Sequence, residues 1–237
     1  MDRRASHARP QLTWLFDLDN TLHDASHAIF PAINANMNAL IARVLDAESK
    51  PAHADAVNAV RMAYWQRYGA TLLGMMRHHA VRAEDFLRDA HRFDDLAQMI
   101  RAERGIGRLL MRLPGKKILL TNAPAAYSHA VLRHLGLHRH FAAHLPIESM
   151  HVHRQLRPKP SRLLLHKILA KQGLRPARCV LVEDTMQNLK AAKSLGLRTV
   201  WTTRYLNVSA ARPAFVNVKV KSLRQLPKQL HKLGVLR

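Results

Sequence analysis

Cysteine and long apolar runs are nearly absent from this 237-residue sequence. Cys179 is the only cysteine, which excludes a disulfide framework. No segment approaches the roughly 18 consecutive apolar residues of a membrane span. Asp17 and Asp19 also interrupt the apolar segment 12–22, which makes it a poor signal peptide. We therefore expect a soluble, cytoplasmic protein that does not enter a membrane.

Acidic residues are scarce as well. The chain contains 16 Asp and Glu residues but 38 Lys and Arg residues, so the formal net charge is +22. Such a charge suggests a polyanionic partner, and nucleic acid is one candidate. Hydrophobic residues make up 48% of the chain, which excludes a disordered polybasic protein. The length allows one domain, or one domain with a large insertion.

The few acids occur in informative positions. Between residues 149 and 237 only Glu183 and Asp184 are acidic, and they follow the apolar run Cys179–Val182. Asp17 and Asp19 follow a second strand-like run, 12–16. The carboxyl ends of parallel strands share one edge of a sheet, where ligands bind. Four carboxylates at that edge require a cation, and oxygen ligands favour Mg²⁺.

The order of apolar patterns predicts an α/β fold. Residues 26–46, 54–68, 71–80, 83–90 and 94–103 show helical patterns, and no strand pattern occurs between 24 and 105. Strands at 116–121, 179–183 and 198–202 then alternate with helices at 125–135, 161–172 and 186–195, and a strand at 215–220 precedes a last helix. Alternation of this kind predicts a Rossmann-like parallel sheet. The predicted domains are a core of residues 11–23 plus 106–237 and an inserted all-helical block of residues 24–105.

Four short segments, in this order, resemble the motifs of the haloacid dehalogenase-like (HAD) hydrolase superfamily. They are Phe16–Thr21, Leu120–Asn122, Lys159 within Arg157–Pro160, and Glu183–Asp184. The helical block then corresponds to the cap that this superfamily inserts after the first strand. The resemblance covers residues 12 to about 203.

The resemblance implies a Mg²⁺-dependent phosphatase. Asp17 would be the nucleophile that forms an aspartyl-phosphate, and Asp19 the general acid and base. Dehalogenating relatives have no acid at the position of Asp19, so dehalogenation is not expected. Further residues are implied to bind the phosphate (Thr21, Thr121, Asn122 and Lys159) and the metal (Asp17, Asp19, Glu183 and Asp184, with Asn188 as an uncharged addition).

Details such as Asn20, the segment Tyr68–Gly74 and the segment Val182–Thr185 resemble the pyrimidine 5′-nucleotidase branch. The expected substrate is then a nucleoside 5′-monophosphate. Tyr68, His78 and His23 are candidates for contacts with the substrate, and Tyr64 and Trp65 either stack on a base or belong to the core. The remaining histidines, including the pairs 78–79, 138 and 140, and 151 and 153, lack zinc-site spacing and are interpreted as surface residues.

Three alternatives stay open at this point. The substrate can instead be phosphoglycolate or a sugar phosphate, with a phosphatase or mutase activity. The protein can also be a basic nucleic-acid-binding protein on the same fold, although it has no aromatic-interleaved basic motif. The sequence does not distinguish a monomer from a homodimer.

Overall fold

The computed structural model describes residues 12–208 and 211–234. The last residues of the predicted tail, 235–237, and residues 209–210 lie outside this part of the chain. Within it, no helix combines the length and apolarity that a membrane crossing requires.

A six-stranded parallel sheet forms the centre of the molecule, as the strand–helix alternation predicts. The strand order is β3-β2-β1-β6-β7-β8, so β1 lies between β2 and β6. The strands are β1 (Thr13–Phe16), β2 (Lys116–Leu120), β3 (Ala143–Leu145), β6 (Cys179–Glu183), β7 (Arg198–Thr202) and β8 (Val218–Val220). A separate antiparallel hairpin consists of β4 (His151–Val152) and β5 (Gln155–Leu156).

Alternate side chains of the strands bury two apolar layers, one on each face of the sheet. Trp14, Phe16 and Val182 belong to one layer, whereas Leu15 and Leu181 belong to the other. Both layers are covered by helices, which is why the strands are apolar on both faces. The flanking helices are α7 (Ala125–His134), α8 (Arg162–Lys171), α9 (Met186–Ser194) and a 3₁₀ helix, Leu223–Leu233.

Six helices connect β1 to β2. They are α1 (Ile29–Ala47), α2 (Ala54–Tyr68), α3 (Thr71–His78), α4 (Ala83–Ala90), α5 (Leu96–Met99) and α6 (Ile106–Arg112). The first four share their own buried cluster, which includes Ile41, Met75 and Phe86. Ile147 of the sheet region also joins that cluster. A helical block between β1 and β2 is thus present, and its limits at 24 and 105 stay a prediction.

Several element predictions are wrong in detail. Helix α1 begins at Ile29 rather than at 26, because the Ser26 hydroxyl accepts a hydrogen bond from Asn20 instead of capping the helix. The helix predicted at 94–103 is shorter in the structure, where α5 covers only Leu96–Met99. The last helix is of the 3₁₀ type with Pro227 inside it, since proline cannot donate the i→i−4 hydrogen bond. Strand β3 and the β4–β5 hairpin were not predicted, because they are only two or three residues long.

Candidate active site

The ends of β1, β2 and β6 bring the predicted residues to one edge of the sheet. Asp17 directly follows β1, and its amide donates to Val182 O of β6 (3.0 Å). Thr121 follows β2 and donates its amide to Leu145 O of β3 (3.1 Å). Glu183 ends β6, and Asp184 follows it. Asp17, Thr121 and Glu183 are buried at this edge, and Asp184 is partly exposed.

Lys159 is the cation at the centre of the site. Its Nζ donates to Asp17 Oδ1 (2.6 Å) and to Glu183 Oε2 (2.8 Å). All three side chains are at least nine-tenths buried. Burial alone would lower the pKa of Lys159, but the carboxylates of Asp17 and Glu183 outweigh it and raise that pKa. Lys159 is therefore a permanent positive charge beside Asp17.

Asn122 fixes the backbone of Lys159. Its Nδ2 donates to Lys159 O (3.0 Å) and its Oδ1 accepts from Lys159 N (2.9 Å). The side chain lines the cavity above Asp17, but its amide is committed to this pair. The predicted contacts of Asn122 and Thr121 with a phosphate remain predictions. Thr21 does reach Asp17, since its hydroxyl donates to Asp17 Oδ2 (3.2 Å).

Three carboxylates form a potential metal site. One oxygen each from Asp17, Glu183 and Asp184 lie within 4.8 Å of one another. Burial, followed by the charge of Glu183, raises the pKa of Asp17 to about 7 and that of Asp184 to about 10. Ionisation of all three carboxylates would therefore place more negative charge here than Lys159 alone neutralises. Such an all-oxygen donor set fits Mg²⁺.

Glu183 is a different kind of carboxylate from its neighbours. Its Oε1 accepts from the amides of Asp184 and Thr185 (both 3.2 Å), and its Oε2 accepts from Lys159 and from Asn188 Nδ2 (2.9 Å). Burial opposes ionisation of Glu183, but Lys159 and these donors outweigh it and lower its pKa. Glu183 therefore positions Lys159 and Asn188. Asn188 is buried rather than an exposed helix residue.

Asp19 has partners that the sequence did not reveal. Its Oδ1 accepts a hydrogen bond from Tyr127 OH (2.6 Å) and lies 2.8 Å from His23 Nε2. Burial opposes ionisation of Asp19, but these two partners outweigh it and lower its pKa. Tyr127, on α7, also contacts the ring of His91 at 5.3 Å between centroids. No local sequence signal links Tyr127 to Asp19, because they are 108 residues apart.

A cavity of about 540 Å³ lies above Asp17, between the sheet edge and the helices. Arg61 reaches it from α2, with Nη1 donating to Asn34 Oδ1 (3.2 Å) and Nη2 to Asn58 Oδ1 (2.7 Å). The Nε of Arg61 is buried and has no hydrogen-bond partner. The rest of the helical side is mainly apolar, and its members are Phe30, Ile33, Met37, Met62, Trp65, Leu72, Phe86 and Leu87.

The three predicted specificity residues are not among those that line this cavity. His23 is fully buried and turned towards Asp19. Tyr68 and His78 bond to each other (OH to Nε2, 2.5 Å), and Tyr68 faces a different concave surface. Trp65 lines the cavity with its side chain 55% exposed, whereas Tyr64 packs in the helical cluster.

The interpretation of His79 as a surface residue is wrong. His79 is buried, with Nδ1 2.9 Å from Glu48 and Nε2 2.9 Å from Tyr64 OH. These contacts join the ends of α1 and α3 to α2, because Glu48 follows α1 and His79 follows α3. Its role is structural.

Comparisons with known proteins agree with the fold and the motifs. The fructose-1-phosphate phosphatase YqaB of Escherichia coli (strain K12) is 31% identical over 80 residues, which are 34% of this chain and 40% of that protein. A HAD phosphatase from Thermococcus onnurineus has a TM-score of 0.62 and 18% identity, covering 92% of this chain and 97% of that chain. A putative beta-phosphoglucomutase from Thermotoga maritima has a TM-score of 0.55 and 19% identity, covering 93% and 99%. At such identity the structures show a shared fold only.

The family assignment covers most of the chain. A family model described as haloacid dehalogenase-like hydrolase matches residues 13–196, from the first residue of β1 to the glycine after α9. The matched segment contains all four motifs and the helical block between the first two. The chain therefore belongs to the haloacid dehalogenase-like hydrolases.

Proposed function

We propose that this hydrolase is a Mg²⁺-dependent phosphomonoesterase that acts through an aspartyl-phosphate on Asp17. Its proposed substrates are nucleoside 5′-monophosphates, in particular those of the pyrimidines. The observation that carries the proposal is the buried Asp17–Lys159 pair within a cluster of carboxylates at the sheet edge. A buried carboxylate with a fixed cation beside it is suited to attack an anionic phosphoryl group.

The reaction has two steps. Because its partners lower its pKa, Asp19 is ionised in the free enzyme and must first take a proton from solvent. A carboxylate oxygen of Asp17 then attacks the phosphorus, and the ester P–O bond breaks while Asp19 gives this proton to the leaving oxygen. Asp19 then takes a proton from water, whose oxygen attacks the phosphorus and releases Asp17 and inorganic phosphate. Tyr127 and His23 hold Asp19 in position for both proton transfers.

The proposed ligands of the metal are the carboxylates of Asp17 and Asp184 and the main-chain carbonyl of Asp19. Glu183 lies beside them and acts on the metal through water. A bound Mg²⁺ neutralises charge on the phosphoryl oxygens during transfer. Lys159 orients Asp17 and favours its ionised form, although burial and Glu183 still raise the pKa of Asp17 to about 7. Added positive charge from a metal would favour the ionised form further.

The mainly apolar lining of the cavity supports a substrate whose leaving group carries a flat ring. Apolar side chains and Trp65 offer packing surface to a nucleobase, whereas a free sugar would need several hydrogen-bonding partners there. Arg61 Nε is a buried donor without a partner and suits a carbonyl oxygen of a base. This lining favours nucleotides over sugar phosphates.

A sugar phosphate is the second candidate. It is favoured by the partial similarity to fructose-1-phosphate phosphatase, which covers 80 residues. The two candidates differ in what must occupy the apolar side of the cavity. Phosphoglycolate, the smallest alternative, would leave most of the 540 Å³ unfilled.

A panel of phosphate esters tests the proposal. We expect turnover only with Mg²⁺ present, and a higher kcat/KM for uridine and cytidine 5′-monophosphates than for fructose 1-phosphate or phosphoglycolate. Arg61→Gln should raise KM for the nucleotides about tenfold, while Arg67→Gln, an exposed neighbour on α2 outside the cavity, should leave KM unchanged. Nucleotides ranking below both other esters would contradict the nucleotidase assignment.

A further inference from the structure

A second concave surface, here called the basic groove, lies between α3 and the β4–β5 hairpin. Its volume is about 830 Å³, and Lys159 is the one residue that it shares with the lining of the catalytic cavity. Helices α2 and α3 contribute one side of the groove, and the chain from His151 to Ser161 contributes the other. The lining residues that can bind an anion or stack on a ring are Tyr68, Arg77, Arg154 and Arg157.

Three arginines make the groove strongly positive. No Asp or Glu lines it. Arg157 donates from Nη2 to the neutral Gln155 side chain (2.6 Å), and its Nε is buried without a partner. Arg77 lies over the ring of Tyr68, 5.9 Å from the centroid. In the described part of the chain, none of the three arginines forms an ion pair with a carboxylate.

The hairpin turn places Arg154 at the groove in an unfavourable backbone conformation. His153 and Arg154 are the two turn residues, with φ of 49° and 63°. Hairpin turns of this kind favour Asn and Gly, because other L-residues are strained at positive φ. Strained residues of this sort concentrate where their side chains have a function. The turn thus holds a guanidinium at the groove from a position where arginine is uncommon.

We propose that the basic groove binds a small polyphosphate, that is, two or more linked phosphoryl groups, either inorganic or attached to a nucleoside. Guanidinium groups bind phosphate oxygens through paired hydrogen bonds, and three of them around one volume match several phosphoryl oxygens. The volume is that of a small-molecule site. Tyr68, Leu73 and Met76 add an aromatic and apolar surface that an attached organic group can cover. The ligand would bridge α3 and the hairpin.

Calorimetric titration of the whole chain with inorganic tripolyphosphate tests this proposal. The titration is done without metal, and binding that depends on Arg77 and Arg154 reports on the groove, because neither arginine lines the catalytic cavity. We expect Arg77→Gln and Arg154→Asn each to weaken binding about tenfold. Asn suits the turn, so Arg154→Asn keeps the hairpin intact. Arg133→Gln, an exposed arginine of α7 outside the groove, is the control and should keep the affinity.

Each outcome bears on the proposal. Absence of binding at physiological salt overturns it, as does an equal loss of affinity in Arg133→Gln, because diffuse charge would then explain the binding. A nucleoside triphosphate that binds more tightly than tripolyphosphate, with the same dependence on Arg77 and Arg154, supports it and assigns the organic group to Tyr68. Equal affinities support recognition of the phosphate chain alone. Tighter binding of an oligothymidylate without terminal phosphates overturns the small-ligand assignment in favour of nucleic acid.

Discussion

Asp19 has two hydrogen-bonding partners that its position after a strand does not predict. Tyr127 and His23 both contact the same oxygen, Oδ1. His91 packs on the Tyr127 ring and also lines the cavity, so a residue between α4 and α5 touches the group that orients Asp19. These contacts fix the direction in which Asp19 can transfer a proton.

Replacing Tyr127 by Phe tests this arrangement. The variant keeps the ring packing and removes one charge-assisted hydrogen bond. We expect kcat to fall about tenfold with little change in KM, because Tyr127 does not line the cavity and acts on the reaction only through Asp19. Steady-state kinetics measures both constants. The control is Tyr205→Phe, which removes a hydroxyl that accepts from Glu103 N (3.1 Å) and is not a partner of Asp19.

If Tyr127→Phe changed KM and kcat no more than the control does, Tyr127 would have only a structural role. The sequence predicted Asp19 from its place after a strand, but not its partners. Their positions depend on how α7 packs on the sheet edge, and no periodicity reports that.

The pKa of Asp184 predicts how pH affects the metal-free protein. Burial and Glu183 raise it from 3.8 to about 10, so between these values the folded state binds a proton that the unfolded state releases. The free energy of unfolding must then fall as pH rises from about 4 towards about 10. Asp184→Asn removes this penalty, and near pH 8 the variant should be more stable than wild type by at least about 1 kcal/mol without metal.

Urea unfolding at about pH 5 and about pH 8 measures this effect. Added Mg²⁺ should stabilise the wild type near pH 8, and the variant much less, because only ionised Asp184 binds the cation. A variant that is less stable than wild type near pH 8 without metal would show that Asp184 is not destabilised by its neighbours.

At the scale of elements, the contact between α2 and α3 shapes the cavity. Gly74 of α3 faces Tyr64 of α2 so closely that a Cβ would lie 2.2 Å from Tyr64 Cγ. The loop between the two helices, residues 69–70, lines the cavity together with Thr71 and Leu72. The helical patterns at 54–68 and 71–80 predicted both helices, but not the close contact between them at Gly74.

Gly74→Ala should therefore push the two helices apart. We expect a loss of about 1–3 kcal/mol in stability and a higher KM, since the cavity wall moves while the groups at the sheet edge stay in place. Urea unfolding and initial rates check the two effects. Gly107→Ala in α6 is the matched control, because its Cβ would come no nearer than 3.3 Å to another atom, His140 Nε2. Equal effects of the two substitutions would mean that this contact is not tight.

At the scale of the molecule, topology explains why the sequence revealed so much of the site. Asp17, Thr121 and Glu183 are distant in sequence but end three neighbouring parallel strands, so strand patterns alone predict their convergence. The cavity wall is different. Arg61, Phe30 and Trp65 come from helices whose orientation over the sheet depends on tertiary packing, and their sequence patterns are those of ordinary helices.

The structure shows where part of the net charge of +22 is concentrated. Most basic residues are dispersed, but Arg77, Arg154 and Arg157 gather around one groove. The two acidic residues after position 149 both belong to the carboxylate cluster at the sheet edge. The molecule thus combines an acidic centre that fits a cation with a basic groove that fits anions.

The most direct test of the central claim is to trap the phosphoryl group on Asp17. Enzyme with Mg²⁺ and a nucleoside monophosphate is quenched in acid, reduced with borohydride and digested, and mass spectrometry then locates the modified residue. The account predicts modification at Asp17, loss of turnover in Asp17→Asn with the fold retained, and normal turnover in Asp46→Asn, an exposed control. Turnover by Asp17→Asn at the wild-type rate, or a phosphoryl group on another residue, would contradict it.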